Sequence, residues 1–178
     1  MTKKTSTKKK STRKPKPTTT DHDRSLRQHL VDLLAGGNAH AKYQDVVKDF
    51  PVELRGQKAP GLPHSPWMLL EHLRLAQWDI LEFSRSAKHV SPAWPAGYWP
   101  KTETPPDDAA WDKSIGQFRR DLKAMQDLVA DPKSDLFAHI PWGDGQTILR
   151  EALLAADHNA YHLAQLVDAR RLLGAWKS

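Results

Sequence analysis

The chain contains no cysteine in its 178 residues, which excludes disulfide bonds, thiolate metal sites and a cysteine nucleophile. It also lacks any run close to the roughly 20 apolar residues that a membrane helix needs. No apolar segment follows the charges at the N-terminus, so we expect neither a secretory signal nor a membrane contact. The HExxH, Walker A and GxSxG motifs are absent as well. These absences favour a cytoplasmic protein that uses none of these common catalytic motifs.

Acidic residues are missing from residues 1–20, which hold eight of the 27 lysines and arginines. The rest of the chain carries 19 basic and 21 acidic groups, so the net charge of +6 comes from this segment. A segment of Lys, Thr, Ser and Pro cannot bury enough surface to offset its ordering entropy. We predict a disordered basic tail over 1–20 and one domain over 21–178. The tail either contacts nucleic acid weakly and without sequence preference, or only aids solubility.

Apolar residues recur at helical spacing in four long segments, and strand-like alternation is not evident. Asp21 or Asp23 can cap the first helix, and Ser65 with Pro66 can open the second. A short helical stretch is expected over 43–49. The four long helices are predicted at about residues 21–35, 65–87, 104–130 and 146–173. The sequence therefore predicts an all-α fold, an antiparallel four-helix bundle with long loops.

The strongest chemical signal is the segment DHNAYHLAQ in the fourth predicted helix. His158 and His162 lie four residues apart, so their side chains share one face and can chelate one metal ion. The spacing alone leaves open a histidine pair without metal. The pair lies away from the charged side of its helix, and His72 lies on the apolar side of the second helix. A shared cation would satisfy all three imidazoles.

Two further residues are candidates for the same site. Asp79 lies two turns after His72 on the same face, where it could orient a ligand histidine, bind the metal weakly or act as a general base. The alternative is a buried carboxylate that caps or bridges helices. Gln165 shares the metal-facing arc and is a candidate substrate contact. Four tryptophans in or beside loops could line a substrate pocket or only brace the loops: Trp67, Trp94, Trp99 and Trp142. Three loop histidines could line the mouth of the site or only be exposed to solvent: His40, His64 and His139.

The segment HSPWMLLEHLRLAQWDILEFSR, followed by DHNAYHLAQL, resembles the DinB-like superfamily of DNA-damage-inducible proteins over roughly residues 23–173. The family pattern is one histidine in the second helix and His-x3-His in the fourth, which His72, His158 and His162 match. The resemblance implies a four-helix bundle with one divalent metal on these three residues. Three neutral histidines leave open coordination positions, as is typical of catalytic sites. Zn, Ni, Fe and Mn all suit such ligands.

The resemblance also implies two chemistries. Some relatives are metal-dependent transferases that activate a low-molecular-weight thiol, and others are hydrolases or have no known activity. We therefore expect a metal-dependent enzyme that activates a thiol or water nucleophile against a small-molecule substrate, with the thiol as cosubstrate in the first case. The alternative is a non-catalytic, metal-binding stress-response protein whose basic tail contacts nucleic acid. A homodimer is left open.

Overall fold

The computed structural model describes residues 19–176, and the regular structure in this range is entirely helical. The prediction of an all-α protein is therefore confirmed. Residues 1–18, and with them nearly all of the predicted basic tail, lie outside the described range. The helices are α1 (Thr19–Ala35), α2 (Tyr43–Val47), α3 (Pro66–Arg85), α4 (Asp108–Ala130) and α5 (Ile148–Leu172), with 3-10 turns at Val52–Leu54 and Ala96–Tyr98.

Helix α3 begins as its sequence predicts. The Ser65 hydroxyl oxygen accepts a hydrogen bond from the backbone N–H of Met68 at 3.2 Å, and Pro66 is the first helical residue. Proline is favoured there because its missing N–H would have no partner inside the helix. Ser65 also donates to the backbone oxygen of Glu103 at 2.5 Å, which ties the start of α3 to the loop before α4.

Two other helices begin at residues that differ from the prediction. Helix α4 starts at Asp108 rather than near Thr104, because Asp107 caps it by accepting from the backbone N–H of Ala110 at 2.7 Å. The prolines before Asp107 disfavour helical geometry in the residues that precede them. Helix α1 starts at Thr19, and Asp21 lies in its first turn, where a negative charge favours the helix dipole.

The long helices pack so that α3 contacts both α4 and α5, and α1 contacts the same two helices. Two clusters of buried apolar side chains fill the interior. One includes Leu70, Trp111 and Leu166, and the other includes Leu81 and Met125. The α3–α5 contact sets the inward face of α3 opposite the His-x3-His face of α5. Among residues 19–176, no helix combines the length and apolar character that crossing a membrane requires.

Candidate metal centre

Three histidines meet between α3 and α5. His72 is 4 % exposed on α3, and His158 and His162 are half-buried on α5. The Nε2 atom of His72 lies 3.1 Å from Nε2 of His158 and 3.1 Å from Nε2 of His162. One nitrogen from each ring lies within 4.8 Å of the others. The fold therefore brings the three predicted ligands together, although His72 is 86 residues from His158 in sequence.

The partners of the outer ring nitrogens show which nitrogens are free to bind a cation. Nδ1 of His72 lies 2.8 Å from the backbone oxygen of Tyr98, and Nδ1 of His162 lies 2.8 Å from Oε1 of Gln165. Both partners are oxygens that only accept hydrogen bonds, so each Nδ1 carries the proton. Each Nε2 then presents a lone pair toward the other. Two lone pairs 3.1 Å apart repel each other unless a cation lies between them.

The spacing of these nitrogens fits a transition-metal ion. Metal–nitrogen bonds of about 2.1 Å place two ligand nitrogens about 3.0 Å apart at a right angle and about 3.4 Å apart at the tetrahedral angle. The observed 3.1 Å separations lie between these values. The three residues therefore suit one divalent ion and leave part of its coordination sphere open.

Burial keeps the three imidazoles neutral. Loss of hydration lowers the pKa of His72 to about 4 and that of His158 to about 3, and it lowers the pKa of His162. Repulsion among the rings adds to this effect for His72 and His158, and the Tyr98 carbonyl opposes it for His72. The neutral ring is the form that binds a metal, so the centre is prepared for one at neutral pH.

Asp79 lies beside the three histidines but outside their cluster. Its Oδ1 atom accepts from Nε2 of His89 at 2.7 Å, and its Oδ2 atom accepts from the Tyr98 hydroxyl at 2.6 Å. Burial and the neighbouring Asp79 raise the pKa of Tyr98 to about 12, so the phenol stays protonated and remains a donor. Asp79 thereby ties the loop after α3 to the helix. The same loop supplies the backbone oxygen that holds His72.

Gln165 supports a ligand histidine through its contact with Nδ1 of His162. Its side chain does not line the cavity beside the histidines that is described below. Its predicted contact with substrate stays a prediction. Earlier on α5, Asn159 donates from Nδ2 to Oε1 of Gln77 at 2.7 Å. This amide pair links α5 to α3 next to His158.

Residues of the loops complete the surroundings of the histidines. The ring of Trp99 stacks on His72 with a centroid distance of 3.9 Å and on His64 with a distance of 4.0 Å. His64, one of the candidate loop histidines, therefore approaches the centre through Trp99. Sequence reasoning did not single out His89 or Tyr98. Neither residue carried a spacing signal, because only the folded loop brings them to Asp79.

A cavity of about 460 Å³ adjoins the histidine cluster, and all three histidines line it. Asp79 also lies on its wall. The remaining wall is formed by aromatic and aliphatic side chains, chiefly Ile80, Trp94, Tyr98, Trp99 and Leu154. Two of the four candidate tryptophans, Trp94 and Trp99, therefore face the site. Trp142 instead donates from Nε1 to the backbone oxygen of Phe83 at 2.7 Å, outside the cavity wall.

The fold and the site together define a helical protein with a three-histidine centre at the edge of a cavity. The family model of the DinB superfamily matches residues 37–166. The chain belongs to the DinB superfamily, as the sequence resemblance predicts. Neither the curated proteins nor the solved structures compared with the chain include a match.

Proposed function

We propose that this protein is a metal-dependent enzyme in which His72, His158 and His162 hold one divalent ion. The observation that carries the proposal is the pair of facing, unprotonated Nε2 atoms of two residues that line a ligand-sized cavity. A divalent ion lowers the pKa of a bound thiol or water and so supplies a nucleophile at neutral pH. The all-imidazole ligand set suits Zn, Ni, Fe or Mn. The contacts among α1, α3, α4 and α5 support an antiparallel four-helix bundle as the scaffold.

In this proposal the residues around the histidines hold the ligands in place. The Tyr98 carbonyl and the Gln165 side chain fix the rings of His72 and His162 with Nε2 directed inward. Asp79 acts as a positioning residue through Tyr98, because both of its carboxylate oxygens already accept hydrogen bonds. Such outer contacts fix the tautomer and orientation of metal-binding histidines.

Two reactions fit this arrangement. In a thiol transfer, the sulfur of a low-molecular-weight thiol attacks an electrophilic carbon of the substrate, and a C–S bond forms. The leaving group departs with the electron pair of its broken bond, and the thiol proton passes to solvent. In a hydrolysis, the oxygen of water attacks the electrophilic carbon and a C–O bond forms, while the leaving group departs with the electron pair of its broken bond and a proton of the water passes to solvent. The substrate in either case is a small molecule that enters the cavity.

The proposal is tested by turnover before and after chelation. Monochlorobimane with L-cysteine reports thiol transfer, and 4-nitrophenyl acetate reports hydrolysis. We expect one activity to disappear on chelation and to return with Zn, Ni, Fe or Mn. His158→Ala should lack it, and the exposed neighbour variant Asp157→Ala should keep it. Turnover that is unchanged after chelation contradicts the proposal. Full metal occupancy without turnover favours the non-catalytic alternative.

The alternative, a metal-binding stress-response protein that contacts nucleic acid, depends on the basic residues of the N-terminal segment. Residues 1–18 lie outside the described range, so this function stays a prediction. DNA binding that weakens with salt, in a protein that binds metal but turns over no substrate, would support it. The predicted cytoplasmic location and homodimer also stay predictions.

A further inference from the structure

The walls of the cavity beside the histidines indicate the chemical class of its ligand. We propose that the cavity takes a neutral, flat, apolar molecule of two or three rings, an inference that rests on the proposed function of the same site. The observation that carries the proposal is that aromatic and aliphatic side chains line one cavity together with the three histidines. A ligand lying against these side chains is therefore adjacent to the histidines.

The charge of the ligand follows from the ionisable groups on the wall. Among the described residues that line the cavity, none is Lys or Arg. The wall contains one carboxylate, Asp79, and both of its oxygens already accept hydrogen bonds from His89 and Tyr98. Away from the three histidines and the ion proposed there, an anionic group of the ligand would find no cationic side chain to pair with, and an unpaired charge in an apolar cavity is strongly disfavoured. The wall therefore selects a neutral body.

The shape of the ligand follows from the rings. Trp99 is already stacked on His64 and His72, so its ring is fixed in place. Trp94 is 81 % exposed and meets Tyr98 edge-on at a centroid distance of 5.7 Å, so most of its ring surface is free for a ligand. Aromatic rings prefer offset-stacked or edge-to-face partners, which a planar molecule provides. The volume of about 460 Å³ is in the usual range of small-molecule sites and accommodates two or three rings.

The test uses two fluorescent probes that share one ring skeleton and differ by one sulfonate group. N-phenyl-1-naphthylamine is neutral, and 8-anilino-1-naphthalenesulfonate carries one sulfonate. Both are titrated against the full-length protein, as purified and after chelation, with helical content checked by circular dichroism. We expect saturable binding of the neutral probe in both states. After chelation the sulfonate should bind at least about tenfold more weakly than the neutral probe, because the cavity wall has no cationic side chain to pair with it.

A matched pair of variants assigns the binding to this cavity. Leu154 lines the wall, and its neighbour Leu153 is 45 % exposed and does not. Leu154→Lys should weaken binding of the neutral probe about tenfold and tighten binding of the sulfonate. The variant should therefore bind the sulfonate more tightly than the neutral probe. Leu153→Lys should leave both affinities unchanged. Trp94→Ala changes an exposed side chain, so it provides a second variant if Leu154→Lys folds poorly. It should weaken binding of the neutral probe severalfold.

Three results would overturn the inference: no saturable binding of the neutral probe, equal or tighter binding of the sulfonate to the chelated protein, or equal effects of Leu153→Lys and Leu154→Lys. The metal content of the same samples is measured separately. A protein that binds the neutral probe but no metal would retain the inferred ligand class and lose the proposed function. A protein that binds metal but not the neutral probe would retain the proposed metal site and lose the inferred ligand class.

Discussion

At the scale of single residues, the histidine centre depends on neighbours that complete its hydrogen bonds. Asp79 does not touch the cluster of nitrogens, yet it holds Tyr98, whose carbonyl fixes the ring of His72. Its effect therefore reaches the ligand through one intermediate residue. Outer contacts of this kind typically change metal affinity by one to two orders of magnitude.

Asp79→Asn should weaken metal binding about tenfold, because the amide holds Tyr98 and His89 less firmly than the carboxylate does. Tyr98→Phe should act in the same direction, and the double variant should be less than additive, since both changes break one contact. Competition with a chelator of known affinity measures these effects. Asp157→Asn, on the exposed side of α5, is the matched control. Complete loss of metal in Asp79→Asn would make Asp79 a ligand, and unchanged affinity with lost turnover would make it a proton acceptor.

Asp121 provides a pH-dependent prediction away from the site. It is 5 % exposed, and its Oδ1 accepts from Nε2 of Gln117 at 2.8 Å. Burial raises its pKa, the Gln117 hydrogen bond opposes the shift, and the nearby Glu82 charge adds to it. A raised pKa means that the folded state disfavours the charged form. This cost is absent below the ordinary value of 3.8, grows as pH rises from 3.8 to the raised value, and is fully present above it.

Asp121→Asn should therefore raise the thermal midpoint at pH 7 by a few degrees, and the gain should vanish near pH 3. Thermal unfolding followed by circular dichroism across this range measures it. Asp127→Asn is the control, since Asp127 is an exposed residue on the same helix and pairs with Lys123. A gain that persists unchanged at pH 3 would show that buried charge is not its cause.

At the scale of helices, the start of α3 matters most because this helix carries His72 and Asp79. Ser65 is fully buried, caps α3 and also donates to the Glu103 carbonyl. Ser65→Ala should cost about 1–2 kcal/mol, since it removes a cap and leaves the Glu103 carbonyl without this donor. Denaturant unfolding measures this cost. Asp107→Ala removes the exposed cap of α4 and should cost less; an equal or larger cost would contradict this role of Ser65.

The sequence predicts the existence and inward faces of the helices because these follow from local periodicity. His72 and His162 fall on facing sides of α3 and α5, as the spacing requires. Helix starts are less predictable, because several residues near Thr104 and Asp107 can serve as caps and the prolines between them decide the outcome.

The surroundings of the histidines could not be predicted, because they come from loops. His89 and Tyr98 reach Asp79 only after the chain has folded back over α3. Periodicity puts Gln165 on the same side of α5 as His162, but it cannot show that the Gln165 amide contacts the His162 ring. Contacts between a loop and a distant helix leave no regular pattern in the chain.

At the scale of the whole molecule, charge is divided unevenly. Residues 1–18 hold all eight basic groups of the N-terminal segment, and the rest of the chain is nearly neutral. If the full-length protein binds duplex DNA through this segment, the log–log slope of affinity against salt should reach roughly −7. Fluorescence anisotropy at several salt concentrations measures the slope, and deletion of residues 1–18 should abolish the binding.

The same deletion should leave the thermal midpoint within a few degrees, because the segment has no apolar residue after Met1 to bury. DNA affinity that does not change with salt concentration, or that remains after the deletion, would contradict an electrostatic role for the segment. A large loss of stability would show that the segment docks on the folded body.

Elemental analysis of metal-reconstituted protein shows whether three histidines from α3 and α5 hold one ion. We predict one divalent ion per chain in the wild type. His72→Ala, His158→Ala and His162→Ala should each lose most of the metal, because two protein ligands remain in each case. His29→Ala, which changes an exposed histidine of α1, should keep the full complement. Full occupancy in His72→Ala would contradict the three-histidine centre.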